Sequence, residues 1–376
     1  MHSLRPTWAE IDLNAIAHNI KQIRSLTRAS TKFMAILKAN AYGHGILEVA
    51  RVCVNQGVEF LGVALLDEAL HLRESGITTP VLILGYTPPS ALDAVVEYGF
   101  RQTIFDPVAA ELLSERAIRK GRKAFVHIKV DTGMSRTGFF TDHEAVQTVA
   151  RICNLPGLTV EGVFTHLATA DSLDEEFTRV QLQRFSDFLQ ALKDTGVEIP
   201  IRHAANSAGI AFYPEAHYDL VRAGINIYGL RSSLERESGL DLIPAMRLKS
   251  RVVMVKEVPE STKVSYGCTY VTSNRTRIAT VPIGYGDGYT RAYSNHAWAM
   301  VRGHRVPLIG RVCMDYCMFD ATAVDDIQVG DEVILFGRPE DLVTADELAG
   351  IIGTINYEVV CLLNSRVPRV YINDNP

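Results

Sequence analysis

Three observations predict a (β/α)8 barrel of the TIM type followed by a smaller β-rich domain. Eight short apolar runs alternate with amphipathic segments up to about residue 240. After Gly239 the texture changes to short, valine-rich strands separated by turn residues. At 376 residues the chain exceeds one usual domain, which suits a large unit over 1–240 and a second over 241–376.

The elements follow in order. Residues 7–12 have strand character, and this amino-terminal strand is expected to pair with the second domain. Asp12 then caps a helix on which Leu13, Ile16, Ile20 and Ile23 recur at helical spacing. The eight apolar runs lie at 32–37, 58–64, 80–84, 101–105, 124–130, 158–166, 201–204 and 219–223. Asp106-Pro107 starts a helix with a cap and a proline at its first position. Thr141-Asp142-His143-Glu144 reads as a capping box. Phe177, Phe185, Phe188 and Leu192 mark a long helix over 174–194. A polar stretch at 231–241 reads as a linker, and the later strands are expected at 251–258, 277–282, 299–301, 306–309 and 332–336.

Composition narrows the function. Hydrophobic residues at 47% and charged residues at 22% are ordinary for a water-soluble globular chain. A net charge of −5 with no basic stripe argues against a nucleic-acid partner. The start, Met1-His2-Ser3-Leu4-Arg5-Pro6, has no apolar signal core, and no run approaches the ~18 residues of a membrane span. A cytoplasmic protein is expected. The six cysteines are too scattered for a disulfide framework, and Cys313 and Cys317 have no partner pair at zinc spacing, so no metal is expected.

The chemistry starts at Ala35-Ile36-Leu37-Lys38-Ala39-Asn40-Ala41-Tyr42-Gly43-His44-Gly45, where a buried strand ends in one lysine and breaks into a loop. A lysine at a barrel strand's carboxyl end lies in the active-site face, where desolvation makes it a nucleophilic amine. Such an amine forms a Schiff base with an aldehyde, and pyridoxal 5'-phosphate is the commonest aldehyde cofactor. A lone lysine more often merely ends a strand, but the other strand ends converge on the same chemistry. The fifth run leads to Lys129-Val130-Asp131-Thr132-Gly133-Met134-Ser135-Arg136, and the sixth leads to His166. The last two lead to Ser207 and to Arg222-Ala223-Gly224-Ile225, in the loops where barrels usually bind phosphate.

These blocks resemble the alanine racemase family, as do Val264-Ser265-Tyr266-Gly267, Gly284-Tyr285-Gly286-Asp287-Gly288, Cys313-Met314-Asp315 and Asn356-Tyr357-Glu358. The resemblance runs from Trp8 to Arg369. It implies that Lys38 carries the cofactor, that Arg222 faces the pyridine nitrogen with His166 behind it, and that Tyr42, Ser207, Gly224, Ile225 and Tyr357 hold the phosphate. Arg136 is implied at the phenolic oxygen and the substrate carboxylate. Tyr266, Met314 near the substrate and Tyr285 at the entrance are implied to come from a partner subunit, so a homodimer with composite sites is expected. Lys38 and Tyr266 would then act as two bases on opposite faces of Cα. Lys129 is either a barrel lysine paired with Asp131 or, as the resemblance implies, a site of carbamylation. Gly286 stands where relatives often carry alanine, which is expected to loosen the entrance loop.

Three other readings compete. A non-catalytic pyridoxal-phosphate carrier would lack the second domain that supplies Tyr266 and Met314. A basic amino-acid decarboxylase would place an acidic residue where this chain has Arg222. A racemase of wider range, accepting serine or other amino acids, shares every feature named here.

Overall fold

The computed structural model describes residues 5–372; residues 1–4, part of the start searched above for a signal core, and 373–376 lie outside them. Strand β1 (Thr7–Asp12) leads into helix α1 (Leu13–Ser25), whose first turn is capped by the Asp12 carboxylate accepting from Asn14 N and Ala15 N. Eight parallel strands follow: β2 (Lys32–Ile36), β3 (Phe60–Val63), β4 (Val81–Ile83), β5 (Arg101–Ile104), β6 (Ala124–Lys129), β7 (Leu158–Phe164), β8 (Ile201–His203) and β9 (Leu220–Ala223). Each lies within one of the eight apolar runs. They pair in the order β8-β7-β6-β5-β4-β3-β2-β9. Main-chain bonds from Asp219 N to Arg202 O and from Arg222 N to Ala205 O, each 3.0 Å, join β9 back to β8 and close the ring. Strands buried on both faces need continuous apolar runs, and β2 shows why: Phe33, Met34, Ala35 and Ile36 are all buried.

The helices between strands start within two residues of the expected positions. Pro107–Arg119 is capped by Asp106, which accepts from Ala109 N. His143–Cys153 is capped by Asp142 rather than by Thr141, because the Asp142 carboxylate reaches Ala145 N at 2.8 Å. Glu176–Asp194 buries Phe185, Phe188 and Leu192.

Beyond residue 245 the chain builds a six-stranded sheet in which β1 sits between Met246–Arg251 and Arg369–Ile372. The strand expected over 251–258 is shorter, Met254–Val258, and Arg251 instead ends a separate strand, Met246–Arg251, that the sequence reading did not include. The chain changes sheets between Val252, which donates to Asp331 O, and Val253, which donates to Thr280 O. No glycine or proline marks that switch, so periodicity passed over it. Cys317 opens the strand Cys317–Asp320, while Cys313 lies in the preceding loop. Two helices interrupt this β-rich part: Ala345–Ile352, started by a Thr344–Glu347 capping box, and Asn356–Cys361. The second carries Tyr357 back to the barrel mouth. Among the described residues no helix is long and apolar enough to cross a membrane.

Candidate active site

The segment after β2 is a single left-handed turn, not the plain loop the sequence suggested. Ala39, Asn40, Ala41 and Tyr42 all have φ between 51 and 54°. Left-handed backbone costs an L-residue roughly 1–2 kcal/mol, so the surroundings must hold it. The Glu68 carboxylate accepts from Ala39 N at 2.6 Å, Asn40 Oδ1 accepts from Ile46 N at 2.9 Å, and Ala41 N donates to Leu37 O at 2.8 Å. Gly45 lets the chain pass under Tyr371: a Cβ there would lie 1.8 Å from the Tyr371 hydroxyl. The turn therefore fixes the direction in which Lys38 leaves the strand.

Lys38 opens into a cavity of about 870 Å³ at the carboxyl ends of the strands. Tyr42 lines it from the same turn, Lys129 and Arg136 from β6 and its loop, and His166 from beyond β7. Ser207, Arg222, Gly224 and Ile225 come from the segments after β8 and along β9, and Tyr357 comes from the second domain. Four bases (Lys38, Lys129, Arg136 and Arg222) thus face the carboxylates of Asp171 and Glu358 around one cavity, an imbalance that suits an anionic ligand.

The packing sets the protonation states. The protein around Lys38, and then Arg136, lowers its pKa, although the amine stays reachable through the cavity. Burial, Arg136 and Arg222 push Lys129 down to about 8, against the pull of Asp131. Burial and then Arg136 push Arg222 down to about 9, so it is still a cation at neutral pH. Burial, followed by Arg222, holds His166 well below the usual imidazole range and leaves it neutral. Burial raises the phenols of Tyr42 and Tyr357, which remain hydrogen-bond donors.

The contacts add to the sequence reading at three points. Lys129 does not pair with Asp131: its Nζ donates to Thr137 Oγ1 at 2.5 Å, and the Asp131 carboxylate accepts instead from the main-chain N–H groups of Gly133, Ser135 and Arg136. Arg222 meets a nearer histidine besides His166. His166 Nδ1 lies 3.4 Å from Arg222 Nη2, whereas Nη1 donates to His203 Nδ1 at 3.0 Å and Nη2 to Thr165 O and Ala204 O at 2.8 and 2.9 Å. The space a methyl group on Gly286 would take is filled by Arg366, whose Nη1 lies 2.2 Å from that Cβ position. Arg366 in turn donates to Asp315 at 2.6 Å, and Gly286 N donates to Met314 O at 2.9 Å.

Gly224 N donates to Ser207 Oγ at 2.9 Å, and a Cβ on Gly224 would come within 3.0 Å of the Tyr42 hydroxyl, so only glycine leaves this corner of the cavity open. Tyr266, Tyr285 and Met314 do not line the cavity. They stand on the second domain, 69, 43 and 51% exposed. Tyr285 and Met314 share one loop system, since Tyr285 N donates to Cys313 O at 3.0 Å. Sequence reasoning missed Glu68, whose only signal was its place one turn into a helix, and gave His203 no role, although it ends β8 as a polar residue in a buried run.

A closed barrel with a strand-end lysine, a cation-rich mouth and a second domain that reaches that mouth through Tyr357 has the layout of a two-domain enzyme that takes an anionic cofactor at its lysine. Residues 11–232 match the alanine racemase N-terminal domain and residues 245–371 the alanine racemase C-terminal domain. The chain belongs to the alanine racemase family. It is 50% identical over 368 residues to the alanine racemase of Desulfovibrio desulfuricans, covering 98% of both chains, and 46% identical over 374 residues to that of Clostridium perfringens, covering 99% of this chain and 97% of that one. Among solved structures, the alanine racemase of Clostridium difficile 630 superposes with a TM-score of 0.96 at 41% identity, covering 100% of this chain and 97% of that one. The Bacillus anthracis alanine racemase with bound L-Ala-P gives 0.94 at 35% identity, with 100 and 97% covered.

Proposed function

We propose that the protein interconverts L- and D-alanine, using pyridoxal 5'-phosphate held on Lys38. The observation that carries this reading is the amine of lowered pKa facing three further bases and the open corner at Gly224. The residues present fit that cofactor: Tyr42, Ser207, Gly224, Ile225 and Tyr357 suit its phosphate, Arg136 its phenolic oxygen and Arg222 its ring nitrogen. When bound, pyridoxal phosphate supplies an electron sink for the pair left on the substrate Cα.

The chain's own residues do the rest. Arg222 keeps its proton and so leaves the ring nitrogen unprotonated, which weakens the sink and favours prompt return of a proton to Cα. Arg136 pairs with the substrate carboxylate as well as the phenolic oxygen. The Lys38 amine takes or gives a proton on one face of Cα, and the Tyr266 hydroxyl of the partner subunit does so on the other, so configuration inverts without rotating the substrate. The exposure of Tyr266, Tyr285 and Met314 in a single chain supports a homodimer in which each copy completes its partner's site. On this reading the enzyme is cytoplasmic and supplies D-alanine for peptidoglycan.

Chiral assays of the purified enzyme on each amino acid test the reaction. With Met314 and Tyr285 closing over a small side chain, kcat/KM for L-serine is expected about 10–200-fold below that for L-alanine, because an apolar pocket discriminates weakly against one added hydroxyl. A serine value equal to that of alanine would make the protein a racemase of wider range.

Carbamylation of Lys129 belongs to the same reading. Its neutral amine attacks carbon dioxide, an N–C bond forms, and one proton leaves to water, giving an anion that orients Arg136. At pH 7 about a tenth of an amine with pKa near 8 is neutral, far more than for an ordinary lysine. At fixed dissolved carbon dioxide, occupancy is therefore expected to rise as pH climbs through about 8. A 13C carbamate signal from labelled bicarbonate, absent from Lys129→Ala, checks this.

A further inference from the structure

Below Arg222 the barrel interior holds a polar chain to which the reaction described above gives no role. Arg222 is 3% exposed and, among the described residues, makes no ion pair with a carboxylate. Its Nη1 meets His203 Nδ1 at 3.0 Å, His203 Nε2 meets His127 Nδ1 at 2.8 Å, and His127 Nε2 meets Glu161 Oε2 at 3.3 Å. Glu161 also accepts from Arg101 Nε at 3.0 Å and Nη2 at 3.3 Å. The line runs from the mouth of the barrel down to Arg101, the first residue of β5.

Donor rules give this line one direction. A guanidinium only donates, so His203 Nδ1 must accept and the His203 proton must sit on Nε2. That N–H faces His127 Nδ1, which must also accept, so the His127 proton sits on Nε2 and points at the Glu161 carboxylate. Both imidazoles are fully buried, and burial keeps both in their neutral forms. Burial alone would raise the Glu161 pKa, but the bonds from His127 and Arg101 outweigh it and bring it down to about 2. The backbone is shaped to admit the chain. The β6–β7 register jumps from Val126↔Val160 to His127↔Gly162, so Glu161 is the extra residue of a bulge, which re-aims a side chain. A Cβ on Gly162 would lie 2.3 Å from His127 Nδ1, so glycine makes room for the ring. Phe164 stacks on His203 with centroids 4.7 Å apart and planes at 11°.

We infer that Glu161 and His127 are positioning residues for Arg222: through His203 they fix its orientation, and so govern the contact it makes with the cofactor ring. The inference rests on the reading of Arg222 as the residue at the ring nitrogen.

Histidine labelled with 15N in the enzyme, with and without pyridoxal phosphate, tests the chain itself. Both His127 and His203 are expected neutral with the proton on Nε2, and either one found doubly protonated or protonated on Nδ1 overturns the inference. Glu161→Leu should scramble the His127 tautomer, lower kcat about 10–100-fold and weaken pyridoxal phosphate binding, while KM for alanine moves less than about threefold. Glu161→Gln keeps an acceptor for His127 and should retain the wild-type tautomers. A folded Glu161→Leu protein with wild-type tautomers and kcat overturns the inference, and if that variant does not fold the wild-type spectra still decide. Failure of the racemase reading would show instead as a protein that binds no pyridoxal phosphate.

Discussion

Lys38→Ala is expected to lose at least about 10⁴-fold in kcat, because one substitution removes both the covalent anchor of the cofactor and the base on one face of Cα. The fold should survive, since Lys38 follows β2 rather than packing in it and its left-handed turn is held by Glu68, Asn40 and main-chain bonds. Wild-type protein should be yellow, and borohydride should bleach it while leaving a cofactor-sized mass on the peptide that contains Lys38. The Lys38→Ala protein should take up no such mass. A colourless wild-type protein with full activity would sink the assignment of Lys38.

Tyr266→Phe is expected to cost about 10²–10⁴-fold in kcat, the usual size of a general acid–base contribution. Its environment makes the deficit specific: within its own chain the side chain is 69% exposed, so removing one hydroxyl disturbs little of that chain's packing. If Tyr266 acts in the partner's site, two inactive proteins repair each other. With free exchange of Lys38→Ala and Tyr266→Phe subunits, half the dimers are mixed and one of the two sites in each has both native residues. The mixture should recover about a quarter of wild-type activity. No recovery, with mixed dimers demonstrated by mass, would place Tyr266 in its own subunit's site or in none.

Part of the site was legible because its signals are local. A buried parallel strand must be apolar along its length, so eight runs marked the barrel, and the residue that follows such a run must lie at the mouth. Lys38, Ser207 and Gly224 were found that way, Arg222 as a charge near the end of the eighth run, and all four line one cavity. Roles beyond that came from resemblance, since nothing in a run of residues says which side chain faces a ring nitrogen.

The sequence by itself thus determined the barrel, the texture of the second domain and the strand ends where chemistry gathers, all of which follow from hydrophobic period and turn residues. Only the tertiary structure decided that the Lys38 loop is a left-handed turn, because part of what holds that conformation is Glu68, distant in sequence. It alone decided that His203 lies nearer to Arg222 than His166 does, and that a bulge turns Glu161 toward His127. It also carried Tyr357 into the mouth on a helix of the second domain. Each of these depends on hydrogen bonds or register between segments tens of residues apart. A local pattern reports which face a residue presents to the core, while its partner there is chosen by how the elements pack.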